Sequence, residues 1–425
     1  MSEPPPAPLA ATSSPPTLER LTSRDRRLLL ACIAIAAISL FVGVKYYFLA
    51  FPEASIEFRV TRATSVPVAE AFLARLHLDS KPYRHAAVFG FDDQQKTFLE
   101  RELGVAESNR LLETTVRLWR WQHRWFRPLQ KEELAVEVTT KGEVVGFQHL
   151  LAEDAPGPDL PVDEARRLAE TFLATTMGRP LASLAFVEDS TQKRPHRTDH
   201  SFTWKVIGSE VQGADYRVAV DVAGGAVAGY REWLKVPDTW VRGYQKLRSK
   251  NETANLVDNL LLLLTVIAML AFLATRVRRG DVRWRAAAIL GGITFVLLAV
   301  SGLNSVPSEL YGYDTTSSFA GFLVSRVLIA VASGLAVGVL ILLLAAAAEP
   351  IYRERFPASL SLTSFLRLRA WRTREAFLAT LVGLTLTCFF FAYENVFYLI
   401  AHRLGAWSPR EVAYSDLLST AFPWI

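Results

Sequence analysis

Outside the apolar segments, the densest cluster of chemistry-bearing side chains is His196, Arg197, Thr198, Asp199 and His200. Two imidazoles and a carboxylate are ligands that a zinc ion accepts. The cluster follows Lys-Arg-Pro and precedes the strand-like SFTWKV, which places it in a turn where Asp and Thr make capping bonds. The turn reading is preferred. A second stretch, RLWRWQHRWFRP, interleaves Trp119, Trp121, Trp125 and Phe126 with Arg117, Arg120, Arg124 and Arg127. Basic residues among aromatics suit nucleic acid. The same alternation makes a strand or helix face with buried Trp and Arg that is solvated or near lipid headgroups. That reading is preferred, and nucleic acid is not expected as a partner. No GxSxG, HExxH, Walker loop or SxxK with plausible partners is present. The adjacent Glu132 and Glu133 fall outside every apolar segment. No catalytic, cofactor-binding or metal-ligating residue is therefore assigned within the chain.

Two charges do fall inside apolar segments. Arg326 and Glu394 lie at matching depths near the outer ends of their segments. A charge in hydrocarbon needs a partner, so the sequence predicts an intramembrane Arg326–Glu394 ion pair. A structural role for it is favoured over a substrate or proton site. Gly334 and Gly338 form a GxxxG, a spacing that lets helices approach closely.

These residues are carried by a chain of 425 residues, of which 51% are hydrophobic. The apolar residues mass in five blocks at 28–51, 256–275, 286–303, 320–348 and 376–401, each long enough to cross a bilayer as a helix. Lys45 can snorkel from the first block and Asp258 stands at the entrance of the second. Cys32 and Cys388 both lie within blocks, which excludes a disulfide framework. The formal charge of +5 comes from arginines beside the blocks. Arg20, Arg24, Arg26 and Arg27 precede the first. Arg276, Arg278, Arg279, Arg283 and Arg285 join the second to the third. Arg353, Arg355, Arg367, Arg369, Arg372 and Arg374 join the fourth to the fifth. The loop SVPSELYGYDTTSSF has no Lys or Arg. The positive-inside rule then puts the N-terminus in the cytoplasm and residues 52–255 outside; the composition reads as bacterial, so the membrane expected is a bacterial inner membrane.

The tail 1–27, rich in Pro, Ala and Ser, reads as disordered. Segment 350–374, with SLSLTSFLRLRAWRTREAF, reads as a cytoplasmic amphipathic helix. The external module contains a repeat, about 60–155 and 156–240. VPVAEA at 66–71 matches LPVDEA at 160–165, each with Pro near a helix start. Each copy closes on a hairpin, at 134–150 and at 216–234. The expected fold is an α-helical membrane protein of five transmembrane helices with an inserted external α+β domain of two helix–hairpin repeats.

The helix-then-hairpin unit resembles PepSY-type domains, which implies a binding or inhibitory role. FPEASIEFRVTR, WFRPLQKEE, RPHRTDHSFTW, KVPDTWVRGYQ and AYENVFYLIAHRLGAWSPREVAYSDLLSTAFPWI together resemble the N-terminal region of large bacterial CPBP-family (CAAX-protease-like) intramembrane metalloproteases. In that family carboxylates and imidazoles on later helices hold a divalent metal such as zinc and activate water. Its Glu-Glu-xxx-Arg motif does not occur here. The ending Phe422-Pro423-Trp424-Ile425 reads as the external tail 402–425 running into a truncated apolar segment. The resemblance implies a non-catalytic, regulatory or substrate-recruiting portion of an intramembrane endopeptidase, with the bilayer and a protein or peptide substrate as partners. The alternative is a non-enzymatic envelope sensor or anchor with a PepSY-like binding domain. The orientation is testable on spheroplasts. Added protease is expected to digest residues 52–255 while the inner membrane is intact, and digestion only after rupture would reverse the topology.

Overall fold

The computed structural model describes residues 21–51, 56–356, 370–404 and 414–422. The tail up to residue 20, the core of the 350–374 segment and parts of 402–425 lie outside them. In chain order the elements are α1 (Ser23–Ala50), α2 (Arg62–Arg75), β1 (Arg84–Gly90), α3 (Asp93–Leu103), α4 (Val105–Thr114), β2 (Arg120–Phe126), β3 (Glu133–Thr139) and β4 (Val144–Leu150). Then come α5 (Val162–Thr175), β5 (Leu184–Lys193), β6 (Thr198–Val206), β7 (Asp215–Ala223) and β8 (Ala226–Lys235). The helices α6 (Asp238–Arg278), α7 (Trp284–Asn304), α8 (Val306–Tyr311), α9 (Phe319–Arg355), α10 (Arg374–Arg403) and α11 (Tyr414–Ser419) complete the chain. Five helices are long and apolar enough to cross a membrane: α1, α6, α7 with α8, α9 and α10. The second runs much further toward its N-terminus than its apolar block, over 41 residues.

The chain divides into two compact units. One holds Met1–Tyr46, Ile267–Leu290 and Ile341–Ile400. Its helices are joined by polar bonds as well as packing. Arg374 grips Asp25 with two bonds, Nε–Oδ2 at 2.6 Å and Nη2–Oδ1 at 2.7 Å. Asn395, fully buried, donates to the Gly43 carbonyl at 3.2 Å, the kind of interhelical bond that hydrocarbon favours. Arg276 donates to Glu354 at 2.8 Å, and Asp281 accepts from Arg276 at 3.2 Å and from Arg353 at 2.7 Å. Several arginines that read as orientation signals thus also tie helix ends together.

The other unit holds Tyr47–Val266, Gly291–Leu340 and Ala401–Ile425. Its β-strands form one antiparallel eight-stranded sheet in the order β1-β2-β3-β4-β8-β7-β6-β5. Each half is a helix followed by a four-strand meander, and the halves meet at β4 and β8. The hairpins read from sequence are β3–β4 and β7–β8. Helices α2 and α5 each have 14 residues. Their buried positions, Ser65, Ala69, Phe72 and Leu73 against Ala165, Ala169, Phe172 and Leu173, stand one hundred residues apart. This register differs from the VPVAEA–LPVDEA match. Pro161 caps α5, whereas Pro67 lies inside α2, which starts at a Thr61–Thr64 capping box.

One face of the sheet is dry. Trp125, Val136, Phe147, Tyr230, Val220 and Phe202 line it strand by strand and pack beneath α2 and α5. Glycines on the opposite face let carboxylates lie flat over the neighbouring strand. A Cβ at Gly146 would fall 2.6 Å from a Glu137 oxygen, and one at Gly229 would fall 2.5 Å from an Asp221 oxygen.

A carboxylate is buried in the dry face. Glu232 accepts from the Tyr216 hydroxyl at 2.9 Å and from the Tyr230 hydroxyl, and meets Arg179 at 2.6 Å. Gly178, at φ +64, turns the chain after α5 so that Arg179 can reach it. Burial and then the Glu232 charge push both phenols well above their ordinary range. Burial alone would lower the Arg179 guanidinium, but Glu232 more than offsets this. Removing one partner of a buried pair costs about 3–5 kcal/mol. Glu232→Ala in the full chain is expected to lower the thermal midpoint of the sheet signal accordingly. Glu188→Ala, at an exposed carboxylate, should change it by less than about 0.5 kcal/mol.

Candidate functional site: the clasp between the sheet and the α7–α9 connection

Strand β2 explains the alternation of Trp and Arg. Trp121, His123 and Trp125 point into the dry face, and Trp121 Nε1 donates to the Val60 carbonyl at 2.9 Å. Arg120 and Arg124 point the other way, where they are paired rather than freely solvated. Arg120 meets Glu137 at 2.6 Å and donates to the Glu232 carbonyl at 2.7 Å. Arg124 makes a two-bonded fork to Glu133, both at 2.7 Å. Its remaining nitrogen donates to the Tyr311 carbonyl at 2.6 Å and to the Tyr313 carbonyl at 2.8 Å. Thr315 Oγ1 donates to the same Glu133 at 3.1 Å. The planar guanidinium thus holds a neighbouring strand and the connection between α8 and α9 at once.

Apolar contacts and backbone bonds reinforce this clasp. Tyr313 is buried with Ala86, Phe126 and Phe322. Arg84 lies over the Phe319 ring at 4.1 Å. The Leu129 N–H donates to the Thr315 carbonyl at 2.8 Å from a residue held at φ +59, a conformation costly for a side chain with a Cβ. A second clasp closes the β1 edge. Ser419 Oγ accepts from the Phe89 N–H at 3.0 Å, and the Ser419 carbonyl accepts from Arg62 at 2.7 Å. Asn304, at the end of α7, exchanges side-chain bonds of 2.7 and 2.8 Å with the Phe422 backbone.

Arg326 sits one helical turn beyond Phe322 and meets Glu309 of α8 at 2.7 Å. The expected Arg326–Glu394 pair joins residues of different units, and within its own unit Arg326 is held by Glu309. The loop without Lys or Arg folds partly into α8, which returns a carboxylate to the start of α9. Glu394 lies on α10, in the other unit. Gly334 and Gly338 act as their spacing suggests. Their added Cβ atoms would fall 2.9 Å from the Phe295 carbonyl and 2.8 Å from the Gly291 carbonyl, so α9 lies directly against α7.

The His196–His200 cluster is a strand-end network. Arg197 Nε donates to Asp199 at 2.8 Å and its Nη1 to the Ala152 carbonyl at 2.8 Å. Thr198 donates to Asp159 at 2.8 Å, and His200 lies 2.9 Å from both the Leu160 carbonyl and Thr191. Among the described residues no three His, Cys, Asp or Glu side chains are placed to hold a metal. Two cavities of about 270 and 250 Å³ flank the seam where β4 and β8 part beyond Gln148 and Gly229, and His149 lines both. No family model, curated protein or solved structure matches the chain.

The sequence did not flag a buried relay. His123, with 0% exposure, lies 3.1 Å from His85 and 3.1 Å from the Ser65 hydroxyl. A nucleophile and base have this spacing. Ser65, however, donates to the Arg62 carbonyl at 2.9 Å and is itself fully buried, so the arrangement docks α2 on the sheet. Burial, then the His85 charge, lowers the His123 pKa from 6.5 to about 3. Burial lowers His85 as well. Below 6.5 the unfolded chain binds protons that the folded one refuses, so stability falls as the pH drops from 6.5 toward 3. Urea midpoints of the full chain across that window are expected to decline with acidity. His123→Phe should flatten the profile, and an equal slope in both proteins would exclude the pair as its source.

Proposed function

We propose that this chain is the membrane-anchored, non-catalytic portion of a CPBP-type intramembrane endopeptidase, acting as its regulatory or substrate-recruiting part. In this reading the N-terminus is cytoplasmic and residues 52–255 lie outside a bacterial inner membrane. A divalent metal such as zinc would belong to residues beyond those described. One observation carries the regulatory role. Arg124 binds the sheet to the main chain of the α8–α9 connection with charge-assisted bonds. A domain that served only as a tethered anchor would need no such bonds. An event on the sheet that shifts Arg124 or Glu133 therefore acts on the start of α9, where Phe322 and Arg326 sit.

The PepSY-like envelope sensor is the second reading. Support for it comes from the repeated helix-and-meander halves and the cavities at their seam. Both readings share the clasp and differ in what it controls.

Arg124→Ala removes hydrogen bonds to charged groups, each worth about 1.5–3 kcal/mol. The variant is expected to open the 311–319 connection to added protease and to change cleavage of a membrane peptide by the intact locus about tenfold. Arg231→Ala, on the same sheet face and exposed, should do neither. An opened connection with unchanged cleavage would remove the regulatory role. An absence of membrane-peptide cleavage by the wild-type locus would favour the sensor.

A further inference from the structure

We propose that the N-terminal part of α6 binds anionic phospholipid headgroups through Arg242, Lys246 and Lys250. These residues stand four apart, so at about 100° per residue they form a stripe that drifts only about 40° per step. Trp240 and Tyr244 lie on the opposite side of the helix and pack on α3. Trp240 Nε1 donates to Glu102 at 2.7 Å, its ring meets Phe98 at 5.2 Å, and Arg101 lies over Tyr244 at 5.9 Å. That packing leaves the cationic stripe facing outward, and all three residues are exposed.

Asp238, one turn before Arg242, acts on the stripe through its charge alone. Asp238 is bonded to Lys235 at 3.0 Å, and among the described residues no ion pair engages Arg242, Lys246 or Lys250. Like charges at i,i+4 repel along a helix, and an external anion relieves that repulsion. Position identifies the anion. The helix runs unbroken into the apolar run that begins at Leu256. Lys250 and Lys246 precede Leu256 by about 9 and 15 Å at 1.5 Å per residue. The headgroup band is about 5–8 Å deep on each side, and charge reaches about 8 Å further at physiological salt. Extended side chains from these two residues enter that zone, with Arg242 at its outer margin. A soluble acidic protein would have no reason to match this spacing from the apolar edge, whereas phosphatidylglycerol or a similar lipid does.

The test uses the full chain in vesicles of phosphatidylcholine with a minor share of phosphatidylglycerol. Spin-labelled lipids of each type report the selectivity of the immobilised shell. Wild type is expected to prefer phosphatidylglycerol, and the Arg242→Gln/Lys246→Gln/Lys250→Gln variant should lose at least about fivefold of that preference, the share of one cation at a membrane surface. High salt should reduce the wild-type preference toward that of the variant. Circular dichroism checks that the variant is folded, and the salt series on wild type tests the idea without any variant. Equal selectivity in the two proteins, or a preference untouched by salt, would overturn the proposal. Loss of selectivity with millimolar inorganic phosphate at constant ionic strength would overturn it in favour of a free-phosphate site.

Discussion

A β-strand sends alternate residues to opposite faces, and in β2 that parity organises the whole sheet-bearing unit. Trp121, His123 and Trp125 must enter the dry face, so Arg120, Arg124 and Phe126 cannot. The dry face receives α2 and α5 and builds the core. The wet face holds guanidinium groups whose hydrogen bonds must be met nearby, and carboxylates of β3 supply most of them. The bonds left over on Arg124 fix the connection between α8 and α9. Stability and the contact with the membrane helices therefore follow from the register of a single strand.

The two halves of the sheet share an interior and differ outside. The buried positions of α2 and α5 coincide in type and spacing, and each half lays an acid over a glycine, Glu137 on Gly146 and Asp221 on Gly229. Four residues before those acids stand Glu133 in one half and Arg217 in the other. Two residues beyond the strand partners of those acids, Gln122 and Ser201, stand Arg124 and Thr203. The fork of Arg124 thus has no counterpart in the second half. Packing constrains the shared positions because both halves bury one helix on four strands, whereas the outer face has been free to take on a clasp in one half only.

Much of this was legible in the residues. Five apolar blocks correspond to five long helices, because block length is a direct consequence of bilayer thickness. The two hairpins were legible from alternation, and the burial of Trp from the RLWRWQHRWF pattern. The helix register was not. VPVAEA and LPVDEA look alike, but Pro67 is accommodated within a helix whose start is set by Thr61 and Thr64, while Pro161 is itself the cap. Strand β6 was partly legible as SFTWKV, whereas β1 and β5 carry weaker alternation and owe their state to pairing with neighbours. The partner of Arg326 was illegible for a related reason. Matching depth in two apolar segments says nothing of a short helix such as α8 folding back with Glu309. The ties of Arg124 to Tyr311 and Tyr313, distant in sequence, required the folded chain.

Arg124 grips the carbonyl oxygens of Tyr311 and Tyr313, not their side chains. Every residue has a carbonyl, so exchanging the amino acid at these positions leaves those two bonds in place. A substitution survey of the connection would therefore score the aromatic packing and miss the hydrogen bonds beneath it. Only changes that move the main chain, such as an insertion, a deletion or a proline, reach the bonds from the loop side. The contact tolerates variation in sequence and is strict about path length, so drift in this segment would preserve its number of residues more than their identity.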